Sequence, residues 1–211
     1  MTEQVQVHDP YQEAGQQHEA DMMGMYLFLA TELMLFGGLC IVIVIYRFLH
    51  PEEVVAASAR LHLWIGAINT VVLLTSSLAV AAAVHLARRA RAGPAATWLL
   101  AAVGLGLAFL GLKAQEYHAE YREGQLPILS DPPQFAGPVE QLFMNLYLFA
   151  TALHAIHLTI GIALVSGLSW LLLKRRIALP QQAVRVEVCG LYWHLVDIVW
   201  VFLYPILYLA R

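Results

Sequence analysis

Charge is scarce in this chain. Asp, Glu, Lys and Arg make up 13% of its 211 residues, against 60% hydrophobic ones, whereas soluble domains carry roughly 25% charged residues. With a mean hydropathy of +0.65, that deficit excludes an ordinary soluble fold and leaves a multi-span membrane protein. Cysteine is nearly missing too. Cys40 and Cys189 lie in or beside apolar segments, and the chain has neither a CxxC nor the paired-cysteine loop of a copper site, so both read as free thiols packed in helices. A net charge of -3 gives no sign of nucleic-acid binding. There is no internal repeat and no second soluble domain. Residues 1–21 are polar, glutamine-rich and acidic, without the basic start of a secretory signal, and are expected to form a retained, partly disordered tail.

What the chain does have is long apolar runs. A bilayer core about 30 Å thick needs roughly 20 apolar residues per helix, and five stretches qualify: 23–48, 62–86, 96–115, 141–173 and 187–210. The fold class expected is an all-α membrane protein, a five-transmembrane-helix bundle over residues 22–211. Breaks combining charge with helix breakers separate the runs, at His50-Pro51-Glu52-Glu53, at Arg88 to Pro94, from Glu116 to Pro138, and at Lys174-Arg175-Arg176 with Pro180. With the N-terminus inside, the inner segments hold seven of the twelve basic residues: Arg88, Arg89, Arg91, Lys174, Arg175, Arg176 and Arg185. Arg47, Arg60, Lys113, Arg122 and Arg211 then fall outside, so the positive-inside rule favours a cytoplasmic N-terminus and an external C-terminus.

Polar residues inside the spans narrow the function. Span three carries Ala101, Gly104, Ala108, Gly111 and Gln115 at helical spacing, a smooth stripe expected to pack against another helix. Span two gathers Gly66, Asn69, Thr70, Ser76 and Ser77, suited to hydrogen bonds between helices. In span four Tyr147, Thr151, His154, His157 and Gly161 share a face, and span five answers with Gly190, His194, Asp197, Val201, Tyr204 and Tyr208. His194 and Asp197 are three residues apart, near enough for the imidazole to donate to the carboxylate and lower the cost of burying both. On that reading Asp197→Ala harms assembly more than Glu32→Gln. Glu32 stands alone among apolar residues, which favours its neutral form; it reads as an acid hydrogen-bonded to a neighbouring helix, or as a proton-active or lipid-contacting group.

Taken in order, these motifs resemble subunit III of the haem-copper respiratory oxidases, cytochrome c and quinol oxidases alike. The resemblance is carried by Thr31-Glu32 before Leu33-Met34-Leu35-Phe36, and by Asn69-Thr70 with Leu73 to Ser77. Gln115-Glu116-Tyr117, then Ala150-Thr151 with His154-Ala155-Ile156-His157 and Gly161, and finally Tyr192-Trp193-His194 with Asp197 and Trp200 continue it. It implies a noncatalytic subunit docked on catalytic oxidase subunit I and other oxidase subunits, with haem and copper in the catalytic partner and none in this chain. The complex would reduce oxygen to water in aerobic respiration and pump protons, in a bacterial cytoplasmic membrane; this subunit would stabilise the active centre, support proton uptake and hold phospholipid in an internal cleft.

By the resemblance, Glu32 is the buried carboxylate of the first shared helix, His154 and His157 the paired histidines, and His194 with Asp197 the signature of the last helix, with His157 the better candidate to meet a lipid headgroup. None of the five is expected to be catalytic, cofactor-binding or metal-ligating. Many members have seven helices and this chain matches from the third, so one cleft wall comes from another subunit or the lipid is held differently. Ala152-Leu153 replaces the Gly-aromatic pair common before the first histidine. Other readings share some of these features: a helper subunit of a nitric oxide reductase, a membrane metalloenzyme using His154, His157, His194 and Glu32, and a small proton-coupled carrier using Glu32 and Asp197, for which no inverted repeat is present.

Overall fold

The computed structural model describes residues 14–123 and 137–209. The polar tail up to residue 13, most of the stretch leading to Pro138, and Arg211 lie outside the described residues. Six helices follow in order: α1 (Ala14–Leu49), α2 (Pro51–Ser58), α3 (Leu63–Arg88), α4 (Ala92–Arg122), α5 (Pro138–Leu173) and α6 (Ala183–Tyr208). Among the described residues there is no strand. All but α2 are long and apolar enough to cross a membrane, so the chain is a multi-pass membrane protein built as a helix bundle. At about 1.5 Å per residue, the 36 residues of α1 and of α5 reach well past a 30 Å hydrocarbon core.

The breaks read from the sequence are real but narrower than expected. Pro51 ends α1 and at once begins α2, where its fixed φ suits the first helical position and Glu52 and Glu53 face the positive end of the helix dipole. Helix α2 is short, yet it closes one end of the bundle: the Ser58 hydroxyl donates to the Leu207 carbonyl at 2.8 Å, satisfying one of the acceptors that the last turn of α6 leaves open. At the opposite end α3 and α5 finish alike. Ala90 and Arg175 have φ of 57° and 53°, and the pairs Arg91 N to Leu86 O with Ala90 N to Ala87 O, and Arg176 N to Leu171 O with Arg175 N to Leu172 O, form two Schellman closures without glycine.

Helices α3, α4, α5 and α6 pack in a ring in which α3 touches α4 and α6, and α5 touches the same two; α1 lies outside it, against α6, α2 and α5. In its most apolar window 11% of α1 is buried, against 56% of α6, so α6 is the hub and α1 presents most of its surface outward. Small residues let the aromatic rings of α6 in. A side chain on Gly66 would begin 2.7 Å from the Tyr204 ring, and one on Gly106 would begin 3.0 Å from Trp193. The stripe expected to pack, Ala101, Gly104, Ala108, Gly111 and Gln115, instead faces out, with nothing within 4 Å of Gly104 or Gly111. The buried face of α4 is Leu99, Ala102, Gly106, Phe109, Lys113, Glu116 and Glu120. Small residues do pack on this helix, but at Ala95, Ala96, Ala102 and Gly106, offset from the expected stripe.

Candidate functional site

The helix face of α4 that turns inward delivers a lysine and two glutamates at positions i, i+3 and i+7, all buried. Burying a lysine is costly unless its charge and its three donors are met. Lys113 Nζ meets all three: Glu116 Oε2 at 2.8 Å, the Tyr147 hydroxyl at 3.0 Å and the Tyr208 hydroxyl at 2.6 Å. Because both phenol oxygens accept from the ammonium, their own O–H groups are free to donate onward. Tyr208 does so to Glu116 Oε1 at 2.7 Å and Tyr147 to Glu120 Oε1 at 2.7 Å. The rings of Tyr117, Tyr147, Trp200 and Tyr208 surround the ammonium at 4.9 to 5.4 Å, adding cation–π attraction in a dry site. Beside them Tyr117 donates to Thr151 Oγ1 at 2.5 Å, and Thr151 donates to the Tyr147 carbonyl at 2.7 Å. One cation thus ties α4 to α5 and α6.

Sequence reasoning did not find this cluster. It placed Lys113 among the external basic residues and took Glu116 as the start of a break, whereas α4 continues to Arg122. The signal was there: Lys113, Glu116 and Glu120 repeat at the spacing of one helix face, continuous with Phe109 and Gly106.

The five residues singled out from the sequence fall into separate places. Glu32 on α1 is not alone: its Oε2 lies 3.0 Å from His157 Nε2 on α5, both side chains 15% exposed. His157 Nδ1 faces the Leu153 carbonyl at 2.8 Å, an acceptor only, so Nδ1 carries hydrogen. The Nε2 to Oε2 approach is then attractive when one proton lies between the two atoms, on either of them. Phe36 packs edge-on against this imidazole at 5.2 Å, and the Tyr192 hydroxyl donates to the His157 carbonyl at 3.0 Å. The pair therefore joins α1 to the ring where α5 and α6 meet.

His154, one turn away, turns into the core between Phe109 and Trp200, with ring centroids at 5.4 and 5.2 Å; neither of its nitrogens has a hydrogen-bond partner. The expected pairing of His194 with Asp197 is not formed. His194 Nδ1 lies 2.6 Å from the Ser77 hydroxyl on α3, and both oxygens of the buried Asp197 are without a hydrogen-bond partner. Both side chains instead lie beside the same α3 residue, Ser77, so they share a neighbour rather than pairing with each other. Span two acts as its composition suggests: Ser76 accepts from the Trp193 indole at 3.0 Å and Thr70 from the Trp200 indole at 3.1 Å. Among the described residues no three of His, Cys, Asp and Glu converge on a point where they would hold a metal ion, so the histidine metal-site reading draws no support from this arrangement.

Comparison with known proteins agrees with the motif order. The sequence model of the cytochrome c oxidase subunit III family matches residues 17–210. The chain is 26% identical over 188 residues to cytochrome c oxidase subunit 3 of Thermostichus vulcanus, covering 89% of this chain and 86% of the relative. It is 27% identical over 194 residues to quinol oxidase subunit 3 of Bacillus subtilis, covering 90% and 86%, and 27% identical over 195 residues to cytochrome bo(3) ubiquinol oxidase subunit 3 of Pseudomonas aeruginosa, covering 89% and 84%. With a match from the start of the first spanning helix to the end of the last, in the order of the five helices described above, the chain belongs to the subunit III family of the haem-copper oxidases.

Proposed function

We propose that this chain is a noncatalytic subunit of a proton-pumping terminal oxidase that reduces oxygen to water. It docks on catalytic subunit I, which carries the haem and copper, and acts by holding that partner in its working form and sustaining its proton uptake. One observation carries the reading: five of the ionisable groups inside the bundle, Lys113, Glu116, Glu120, Glu32 and His157, are engaged with side chains on other helices or on one another, the behaviour of a rigid support. The outward faces of α1 and of the Gly104–Gly111 stripe supply surface for lipid and for neighbouring subunits. Glu32, His157 and His194 serve as polar contacts between helices, His154 and Asp197 are buried polar side chains of the core, and Glu32 with His157, nearest the outer helix, is best placed to meet a lipid. The electron donor is cytochrome c or quinol, the two donor classes in the names of the relatives. The arginine-rich turns after α3 and α5 favour a cytoplasmic N-terminus and an external C-terminus in a bacterial cytoplasmic membrane.

The test is depletion of this subunit from the purified oxidase. Initial oxygen consumption should be largely kept, while the number of turnovers before inactivation falls and proton uptake slows. Immediate loss of activity with the partner's haem and copper spectra intact would refute a supporting role. Purified alone, the chain should show neither visible absorption nor oxygen reduction.

A further inference from the structure

Between the two glycine-free turns at one end of the bundle lies a pocket of about 610 Å³, within the range of ordinary small-ligand sites. Arg91 from the turn after α3 and Arg175 from the turn after α5 both line it, together with Leu172, Leu173 and Leu179. The region is short of anions. No Asp or Glu occurs from residue 54 to 115 or from 141 to 186, although the two turns hold Arg88, Arg89, Arg91, Lys174, Arg175 and Arg176. Arg88 has taken the nearest carboxylate, Glu187, at 2.8 Å. Among the described residues neither Arg91 nor Arg175 pairs with a carboxylate.

The backbone adds to the same field. α4 begins at Ala92 with no side chain capping it, so the amides of Ala92 and Gly93 lack intrahelical acceptors. Space above Gly93 is open, which lets a ligand atom approach these amides closely. Depth in the bilayer is marked by Trp98 on α4 and Trp170 on α5, both about half exposed, in the manner of residues at a membrane interface. The Arg176 guanidinium lies over the Trp170 ring at 5.7 Å.

From two arginines without a carboxylate partner, Arg91 and Arg175, lining one pocket together with apolar residues at the interface, we propose that this pocket binds the headgroup of one anionic phospholipid. The phosphodiester sits between the two guanidiniums and the acyl chains leave along Leu173 toward the hydrocarbon. The site is separate from Glu32 and His157, and it stands whether or not the supporting role above holds.

Native mass spectrometry of the intact oxidase complex, after exchange into phosphatidylglycerol or phosphatidylcholine nanodiscs and release into mild detergent, tests it. The wild-type subunit should retain one phosphatidylglycerol and no phosphatidylcholine. Arg91→Gln/Arg175→Gln should weaken retention about thirtyfold, each basic residue at an anionic surface contributing roughly fivefold, while Glu32→Gln leaves it unchanged. If the double variant fails to assemble, Arg175→Gln alone should lower retention about fivefold. Equal retention in wild type and arginine variants, equal retention of phosphatidylcholine, or loss in Glu32→Gln alone would overturn the proposal. So would displacement of the lipid by millimolar inorganic phosphate, which would make this a site for free phosphate.

Discussion

Lys113 and Tyr208 meet at 2.6 Å, linking the inner face of α4 to the final turn of α6 across the bundle. Because Tyr208 also donates to Glu116 Oε1, the contact belongs to a closed set in which the ammonium, a phenol and a carboxylate satisfy one another. Removing any single member strands the others.

Lys113→Met is therefore expected to cost about 3 to 5 kcal/mol, the usual penalty for leaving a buried charge without its partner. Recovery of the subunit in the purified complex should fall sharply. Combining it with Glu116→Gln should restore part of the loss, because the pair is then removed together; a double variant worse than the single would show that the lysine and glutamate act independently.

Around His194 the order of sensitivity expected from the sequence changes. Since Ser77, not Asp197, meets the imidazole, Ser77→Ala should destabilise by about 1 to 3 kcal/mol through an unpaired buried group. Asp197→Asn, which keeps the shape of the side chain and an acceptor oxygen beside Ser77, should change stability less. Thermal unfolding of the complex in detergent compares the two, and a larger loss for Asp197→Asn would return the anchor to that carboxylate.

Glu32 and His157 should be coupled. A double-mutant cycle with Glu32→Gln and His157→Phe is expected to give an interaction energy of about 0.5 to 3 kcal/mol, read as retention of α1 by limited proteolysis or unfolding. Additive losses would mean that the 3.0 Å contact contributes nothing.

Two glycines on neighbouring helices separate packing from propensity. Gly66→Ala places a methyl group 2.7 Å from the Tyr204 ring and should cost about 1 to 3 kcal/mol from overpacking. Gly104→Ala enters open space and should be neutral or stabilise by up to about 1 kcal/mol, as alanine is the better helix former. Unfolding temperatures of the two variants should move in opposite directions or differ clearly in size.

The five spans were legible because burial in lipid demands uninterrupted apolar length, a property of composition. Helix ends were less so. Lys113, Glu116 and Glu120 resemble a loop when read by polarity, yet each is hydrogen-bonded to a tyrosine from a helix distant in sequence, and no local window reports that. Orientation of α4 was lost for a related reason: small residues mark a close approach only where a partner exists, and the bulky rings of α6 sit over Gly66 and Gly106 rather than over Gly104. That Glu32, His154 and His157 lie within the spans could be read from the sequence; which of them pair, and with what, depends on rotations of α1, α5 and α6 that the sequence pattern leaves open.

The hydrogen bonds that fasten α6 also set an order of events during synthesis. Ser76, Ser77 and Thr70 on α3, and Lys113 with Glu116 on α4, all wait for side chains made after them, on α6: Trp193, His194, Trp200 and Tyr208. Without α6 the earlier spans hold a lysine and several hydroxyl groups with incomplete partners. Its docking completes these contacts together, and with them the Ser58 latch to Leu207, so the polar groups of α2, α3 and α4 are satisfied in one step rather than helix by helix.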